Sequence, residues 1–224
     1  MSVPKIINSL SFGDWVAHVF DHPVENPQWY WNLEADEVEL DEDTLVDYAF
    51  RLFADSDAVL NEFSDAQVNQ GLWFLVGEST TDLYALRSDD VALAKRLKCI
   101  DAISNLFATT LAERCTEHLS HIDEPGCGTL NSVCYMWWDI FPLSGKPSDE
   151  SLREIDEHCL AVMENVLTST SIACQESALH GLGHWQSKYP EKVMKIVDAY
   201  LGAHEDLRGD LRNYAMAARI GRVQ

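Results

Sequence analysis

Apolar residues recur with a helical period along most of this chain, and this repetition restricts the fold more than any other feature of the sequence. Leu45, Val46, Ala49, Phe50 and Phe53 follow the i, i+1, i+4, i+5, i+8 spacing of one helix face. Comparable stripes return in later segments as far as Ala218, and no segment shows convincing period-two alternation with hairpin turns. The sequence therefore predicts an all-α fold.

Start and stop residues divide this pattern into separate helices. Ser64 and Gln67 form a capping-box pair, and Gly77 is a natural end for the helix that follows them. Thr129 is expected to cap a very apolar helix that ends before Pro142 and occupies a central place in the fold. Further helices are predicted over 89–118 (with a possible break), from 148 or 149 to 166, and over 171–188, 190–202 and 207–218.

Short connections in the last third of the chain make successive helices antiparallel neighbours, either stacked as a solenoid or closed into a compact bundle. Gln67–Gly77 and Gln175–Gly183 both place two leucines three positions apart, followed closely by glycine. The second segment and the helix that opens at Pro190 resemble a HEAT-type repeat. The resemblance covers 171–202, extends weakly to 64–77, and implies a HEAT-like α-α superhelix.

The chain is interpreted as one helical domain over 1–224. Its first part, 1–43, is less regular, acidic and aromatic, whereas 44–224 is the helical core and is most repeat-like over 171–222. With 224 residues, such a chain buries enough surface to need no disulfide staples.

Acidic residues are concentrated towards the amino end. Residues 1–86 carry a net charge of −15, with Lys5 and Arg51 as their only basic residues, whereas 87–224 carry −6. A total of −21 opposes binding to nucleic acid or anionic lipid, because these partners are polyanions. The same charge favours a partner with a basic surface.

The densest acidic run follows an aromatic segment at Trp29, Tyr30 and Trp31. Such a run is ordinarily a solvated loop leading into a helix, but it also suits recognition of a cationic protein. Trp29 and Trp31 would be the aromatic anchors of that surface. The predicted partner-binding carboxylates are Glu34, Asp36, Glu37, Glu39, Asp41, Glu42 and Asp43.

No segment has the apolar length of a membrane span, and the first ten residues lack the pattern of a secretory signal. The six cysteines form no CxxC pair and are read as reduced core residues. A cytoplasmic protein is therefore expected.

Two histidine pairs are candidates for metal binding. His180 and His184 lie four apart on one predicted helix face, although Gly181 occupies the position where a zincin carries its general base. His118 and His121 lie near Cys127 and Cys134, but in no usual zinc-finger spacing. A structural role is the main interpretation of both pairs, and no cofactor is expected.

The chain lacks the serine-hydrolase elbow, the phosphate-binding loop and the dinucleotide-binding glycine motif. The leading hypothesis is therefore a non-enzymatic protein-binding module. In being small, acidic and free of catalytic motifs, the chain resembles bacterial immunity proteins, which implies an inhibitor of a basic toxin or nuclease. The alternatives are a metal-dependent hydrolase that uses His180/His184 or His118/His121, and a subunit that docks through the face at 214–222.

Overall fold

A computed structural model describes residues 6–32, 37–77 and 82–223 of the chain. Helices that pack against one another account for most of these residues, which confirms the prediction of an all-α fold. The principal helices are α1 (Phe12–Phe20), α2 (Glu42–Ala54), α3 (Ser56–Leu60), α4 (Asp65–Val76), α5 (Leu93–Asn105), α6 (Ala112–Arg114), α7 (Thr129–Ile140), α8 (Arg153–Val166), α9 (Ile172–Trp185), α10 (Pro190–Ala203) and α11 (Gly209–Arg219). Short 3₁₀ turns occupy Trp29–Trp31, Asp82–Arg87, Ser120–Ile122 and Glu150–Leu152.

The helices form two rows. In one row α1 contacts α4, α4 contacts α7, α7 contacts α9, and α9 contacts α11. In the other row α2 contacts α5 and α5 contacts α8, while α8 also packs on α9. Each helix of a row thus packs on an element further along the chain, an arrangement that stacked helical hairpins produce.

The ends of several helices follow local chemistry. Ser64 and Gln67 complete the predicted capping box of α4, and Gly77 is its C-cap. At α7 the prediction was wrong by one residue, because Gly128 occupies the N-cap position and Thr129 is the first helical residue. The Asn131 side chain, at the third helical position, accepts hydrogen bonds from the backbone N–H groups of Gly128 and Thr116, and the first of these is the bond that a capping box makes back to the N-cap residue.

The long helix predicted over 89–118 is broken and ends early. α5 leads into a π-helical segment, Leu106–Leu111, and α6 ends at Arg114. The Thr109 hydroxyl donates to the Asn105 carbonyl at 3.0 Å, and the Thr110 hydroxyl donates to Ser56 of α3 at 2.8 Å. These threonine contacts accompany the wider turn, as expected for a π-bulge.

One short parallel strand pair was not predicted. β1 (Ile6–Ile7) pairs with β2 (Glu37–Val38), with Ile6 opposite Glu37 and Ile7 opposite Val38. Two-residue strands are too short for an alternating pattern to be recognised in the sequence.

The buried apolar residues form one continuous core from Trp15 to Ala218. Helix α9 runs through its centre, with every residue from Ala173 to Gly183 buried. Gly181 allows α7 to approach closely, because a Cβ atom at this position would lie 2.5 Å from the Trp138 Cβ atom. This close contact places Asp139, the next residue of α7, beside the histidines of α9.

All six cysteines are free thiols, and four of them (Cys99, Cys134, Cys159 and Cys174) are buried. Across residues 6–32, 37–77 and 82–223, every helix is too short or too polar to cross a bilayer.

Candidate functional sites

The predicted acidic run lies at the amino end of α2, and its carboxylates have different roles. Glu34 and Asp36 lie outside the described residues. Asp41 is the N-cap of α2, where its hydrogen bonds with the Thr44 side chain and backbone hold the pKa of the carboxyl group below its usual range. Asp43 pairs with Lys95 of α5 at 2.6 Å. Glu37, Glu39 and Glu42 are exposed.

The two predicted aromatic anchors differ in exposure. Trp29 is half-buried and stacks on His22, with ring centroids 3.9 Å apart, while also contacting Phe74 of α4. Trp31 keeps 53% of its surface exposed. Trp29 therefore tethers the 3₁₀ turn to the core, whereas Trp31 is the tryptophan that a partner can reach.

Unpaired carboxylates are spread over α1, the start of α2, and α3. A group of exposed carboxylates has no lysine or arginine nitrogen within 4 Å in the described part of the chain. Its members are Asp14, Asp21, Glu25, Glu37, Glu39, Asp41, Glu42, Asp55, Asp57 and Glu62. We call it the acidic amino-terminal surface.

An apolar groove of about 300 Å³ runs between α1 and α3 within this surface. Val16, Val59 and Phe63 line it together with the carboxylate-bearing residues Asp21 and Glu62. A second groove, of about 580 Å³, lies on the other side of α3 and includes Asp57 and Glu113. Helix α3 is therefore flanked on both sides by grooves with acidic residues.

A second candidate site lies where α7, α9 and α11 meet. Asp139 of α7 and His180 and His184 of α9 each offer a ligand atom, and these atoms all lie within 4.8 Å of one another. The two Nε2 atoms are 3.2 Å apart, and His184 Nε2 lies 3.4 Å from Asp139 Oδ1. We call these three residues the histidine cluster. It is the only group of three or more such ligands that converges in the described ranges.

His180 is buried, and its ring is held from the opposite side by Tyr214 of α11. The Tyr214 hydroxyl lies 2.6 Å from His180 Nδ1, and the Tyr135 hydroxyl lies 3.1 Å from that of Tyr214. Burial, with smaller contributions from His184 and His121, lowers the pKa of His180 to about 3. Burial also raises the pKa of Tyr214. At neutral pH the cluster therefore presents a neutral His180 imidazole.

His121 and the buried Glu176 form a second polar layer next to the cluster. Glu176 accepts hydrogen bonds from the backbone N–H groups of Ser120 and His121, and its Oε1 lies 2.5 Å from His121 Nδ1. The His121 ring stacks on Tyr214 with a centroid separation of 4.0 Å. His121 thus links the buried Glu176 to Tyr214.

The predicted candidates His118, His121, Cys127 and Cys134 do not converge as a ligand group within the described ranges. His118 packs on Gly126, and its buried Nδ1 atom has no hydrogen-bond partner among the described residues. Cys134 is buried, and its thiol donates to the Ala173 carbonyl. Cys127 is exposed, and burial and nearby carboxylates raise the pKa of its thiol.

Sequence reasoning identified His180 and His184 but missed Asp139, Tyr135, Glu176 and Tyr214 as members of the site. One signal was present in the sequence: Glu176, His180 and His184 recur every four residues along one face of the helix. Tyr135 and Asp139 show the same spacing in α7. Polar side chains in register on two apolar helices indicate that the helices share a polar contact.

Comparisons with protein-family models, curated proteins and solved structures find no match to this chain.

Proposed function

We propose that this protein is a non-enzymatic protein-binding module that captures a partner with a basic surface. The proposal depends mainly on one observation: the carboxylates of the acidic amino-terminal surface are exposed and have no lysine or arginine partner among the described residues, although the neighbouring Asp43 pairs with Lys95. By contrast, half of the lysines and arginines of residues 113–224 are engaged in ion pairs, such as Arg208 with Glu124 and Arg219 with Asp198.

An unneutralised negative surface attracts cations over several ångströms and accelerates encounter with a basic protein. Such electrostatic steering raises association rates by about 10- to 1000-fold at low ionic strength. Unpaired carboxylates also remain free to accept hydrogen bonds from the arginine and lysine side chains of a partner. The acidic amino-terminal surface therefore suits fast capture of a basic protein.

Charge alone does not produce a tight complex, and the same region offers apolar contacts. The groove between α1 and α3 offers the half-buried Val59 beside Asp21 and Glu62, and the buried Val16 and Phe63 complete its lining. Trp31 adds an exposed ring near the carboxyl end of the aromatic segment. Interfaces are dominated energetically by a few apolar and aromatic anchors of this kind, surrounded by polar residues.

An immunity-type inhibitor is the specific form of this proposal. A nuclease cleft binds phosphate through basic side chains, so a surface rich in carboxylates competes for the same groups. Inhibition of a basic toxin or nuclease would then require no chemistry by the inhibitor itself.

Two charge-reversal variants test where the partner binds. The first replaces Asp21, Asp57 and Glu62 with lysine at the two grooves, and the second replaces Glu37, Glu39 and Glu42 with lysine. The control variant carries Glu164→Lys, Glu205→Lys and Asp206→Lys, which changes the net charge equally on exposed residues of the carboxyl-terminal half. Wild-type protein and the control variant are used to capture partners from a lysate of the source organism, and these partners are identified. Their association rates with wild-type protein and with each variant are then measured.

We expect the captured partners to be basic proteins. At low salt they should associate with the first or the second charge-reversal variant about 10-fold or more slowly than with the control variant. The difference should shrink near 1 M salt, where the screening length is about 3 Å. Far-UV circular dichroism checks that all variants are folded. If neither reversal slows association relative to the control variant, the acidic amino-terminal surface does not bind the partner.

The alternative function, a metal-dependent hydrolase, has one observation in its favour. Asp139 completes a three-residue ligand set with His180 and His184, whereas the His118/His121 pair has no comparable third ligand among the described residues. Hydrolysis additionally requires a base and a bound water. Turnover of ester, peptide or phosphodiester probes that is abolished by a chelator and restored by zinc would favour this alternative.

A further inference from the structure

We propose that Asp139, His180 and His184 form a binding site for one divalent transition-metal ion, with zinc as the best fit. The site lies on α7 and α9, apart from the acidic amino-terminal surface on α1, α2 and α3, and it is independent of the proposed partner binding. Two imidazoles and one carboxylate are a ligand set that zinc commonly uses.

The distances within the histidine cluster match those between ligands around one metal ion. Zinc bonds of about 2.0–2.1 Å in a tetrahedral arrangement place ligand atoms about 3.3–3.4 Å from one another. The observed separations are 3.2 Å between the two imidazole Nε2 atoms and 3.4 Å between His184 Nε2 and Asp139 Oδ1. Two of the three ligand contacts therefore have the required spacing.

Hydrogen bonds alone satisfy the contacts of His184 Nε2 less completely than a bound metal ion would. In a neutral imidazole, His184 Nε2 carries either one hydrogen or one lone pair, yet it faces both a carboxylate oxygen and a second imidazole nitrogen. One of the two contacts is therefore left without a hydrogen bond directed at it. A metal ion uses the lone pairs of all three atoms at once.

The residues around His180 provide the outer shell that a metal-binding histidine normally has. In the tautomer whose Nδ1–H donates to the Tyr214 hydroxyl, 2.6 Å away, the lone pair of His180 Nε2 points towards His184 and Asp139. Tyr135, at 3.1 Å from Tyr214, extends this hydrogen-bonded chain. The His121 ring stacks on Tyr214 and is itself held by the buried Glu176.

The cluster is closed on one side and open on the other. His180 is 1% exposed, whereas the side chains of Asp139 and His184 keep 36% and 38% of their surface accessible. A tetrahedral ion held by these three residues would keep its fourth position towards solvent, where water or a partner side chain can bind. Sites with three protein ligands and one open position are exchangeable or catalytic rather than purely structural.

The test measures zinc binding by chelator-stripped protein with isothermal titration calorimetry and with elemental analysis after gel filtration. Wild-type protein should bind one equivalent of zinc, and its melting temperature should rise with zinc concentration. His184→Gln and Asp139→Asn each remove a ligand and should weaken binding by more than about 100-fold, since loss of an outer-shell partner already costs about 10- to 100-fold. Tyr214→Phe, which keeps the ring but removes the hydroxyl, should weaken it by about 10-fold or more.

His158→Gln is the matched control. His158 Nδ1 pairs with a carboxylate oxygen of Asp101 at 2.6 Å on the surface, without a second imidazole in the group, so its loss should leave zinc affinity unchanged. Cobalt absorption supplies a second readout, because cobalt in a tetrahedral site absorbs strongly in the visible range and loses this signal in His184→Gln. Melting in the presence of chelator checks that the variants are folded.

Either of two results would overturn the metal site. One is less than about 0.2 equivalents of zinc retained by wild-type protein, against the single ion expected. The other is zinc affinity that is the same in wild-type, His184→Gln, Asp139→Asn and His158→Gln protein. Neither result bears on the partner-binding proposal, whose variants carry an intact histidine cluster.

Discussion

Gly181 of α9 lies against Trp138 of α7, so that a Cβ atom at position 181 would fall 2.5 Å from the Trp138 Cβ atom and 2.8 Å from Met163 Sδ. Both neighbours are buried side chains, and the Trp138 Cβ atom moves only with the backbone of α7. The absence of a side chain at 181 therefore sets how closely α7 approaches α9. Because Asp139 follows Trp138, the same contact sets the distance from its carboxylate to His184.

Gly181→Ala is expected to destabilise the protein by about 1–3 kcal/mol, because the added methyl group forces α7 and α9 apart. The steric cost of the methyl group should exceed the gain of about 1 kcal/mol in helix propensity that replacing glycine with alanine normally brings. Urea unfolding measures the change. Gly202→Ala in α10 is the control, since a Cβ atom there meets nothing within 4 Å, and it should stabilise by up to about 1 kcal/mol. Equal midpoints for the two variants would contradict the tight α7–α9 contact.

Alanine substitutions near the N-termini of α4 and α7 should change the free energy of unfolding by different amounts. Ser64→Ala removes the side chain that accepts from Gln67 N–H and should cost about 0.5–2 kcal/mol of unfolding free energy. Thr129→Ala should change stability by less than about 0.5 kcal/mol, because Thr129 is exposed and is the first helical residue, not the N-cap. Chemical denaturation of both variants distinguishes them. A larger loss for Thr129→Ala than for Ser64→Ala would restore the original assignment of the α7 cap.

His18 predicts a pH dependence of stability. Burial, and secondarily His22, lowers the pKa of His18, whose ring also contacts Trp29 and Phe74. As the pH falls below the unfolded-state pKa of about 6.5, the unfolded chain binds a proton that folded His18 resists, so the protein loses stability.

His18→Gln should therefore lose less stability than wild-type protein between pH 7 and pH 5, with both measured by urea unfolding. Between pH 7 and pH 8 the two proteins should show parallel stability, since His18 is neutral in both states there. An identical acid dependence for variant and wild type would show that His18 does not resist protonation in the folded protein.

Features that depend on neighbouring residues could be predicted from the sequence. The Ser64/Gln67 capping box, the end of α4 at Gly77 and the position of Pro190 in the first turn of α10 all match the structure, because each is set by groups within one helical turn. The assignment of Thr129 as a cap was wrong because the helix begins at Thr129 and Gly128 is the N-cap. The Asn131 side chain accepts from the Gly128 N–H and from Thr116, which lies in a preceding loop, and a local pattern does not reveal a contact between residues fifteen positions apart.

The sequence by itself determined the helical class, the concentration of acid towards the amino end, and the i, i+4 register of His180 and His184. These properties follow from periodicity, composition and spacing, which are local or additive. Only the tertiary structure decided that Asp139 meets those histidines, that Tyr214 holds His180, and that Lys95 neutralises Asp43 while Asp21 and Glu62 stay unpaired. These contacts join residues far apart in the chain, and they depend on how closely whole helices pack, which side-chain volumes across the core decide.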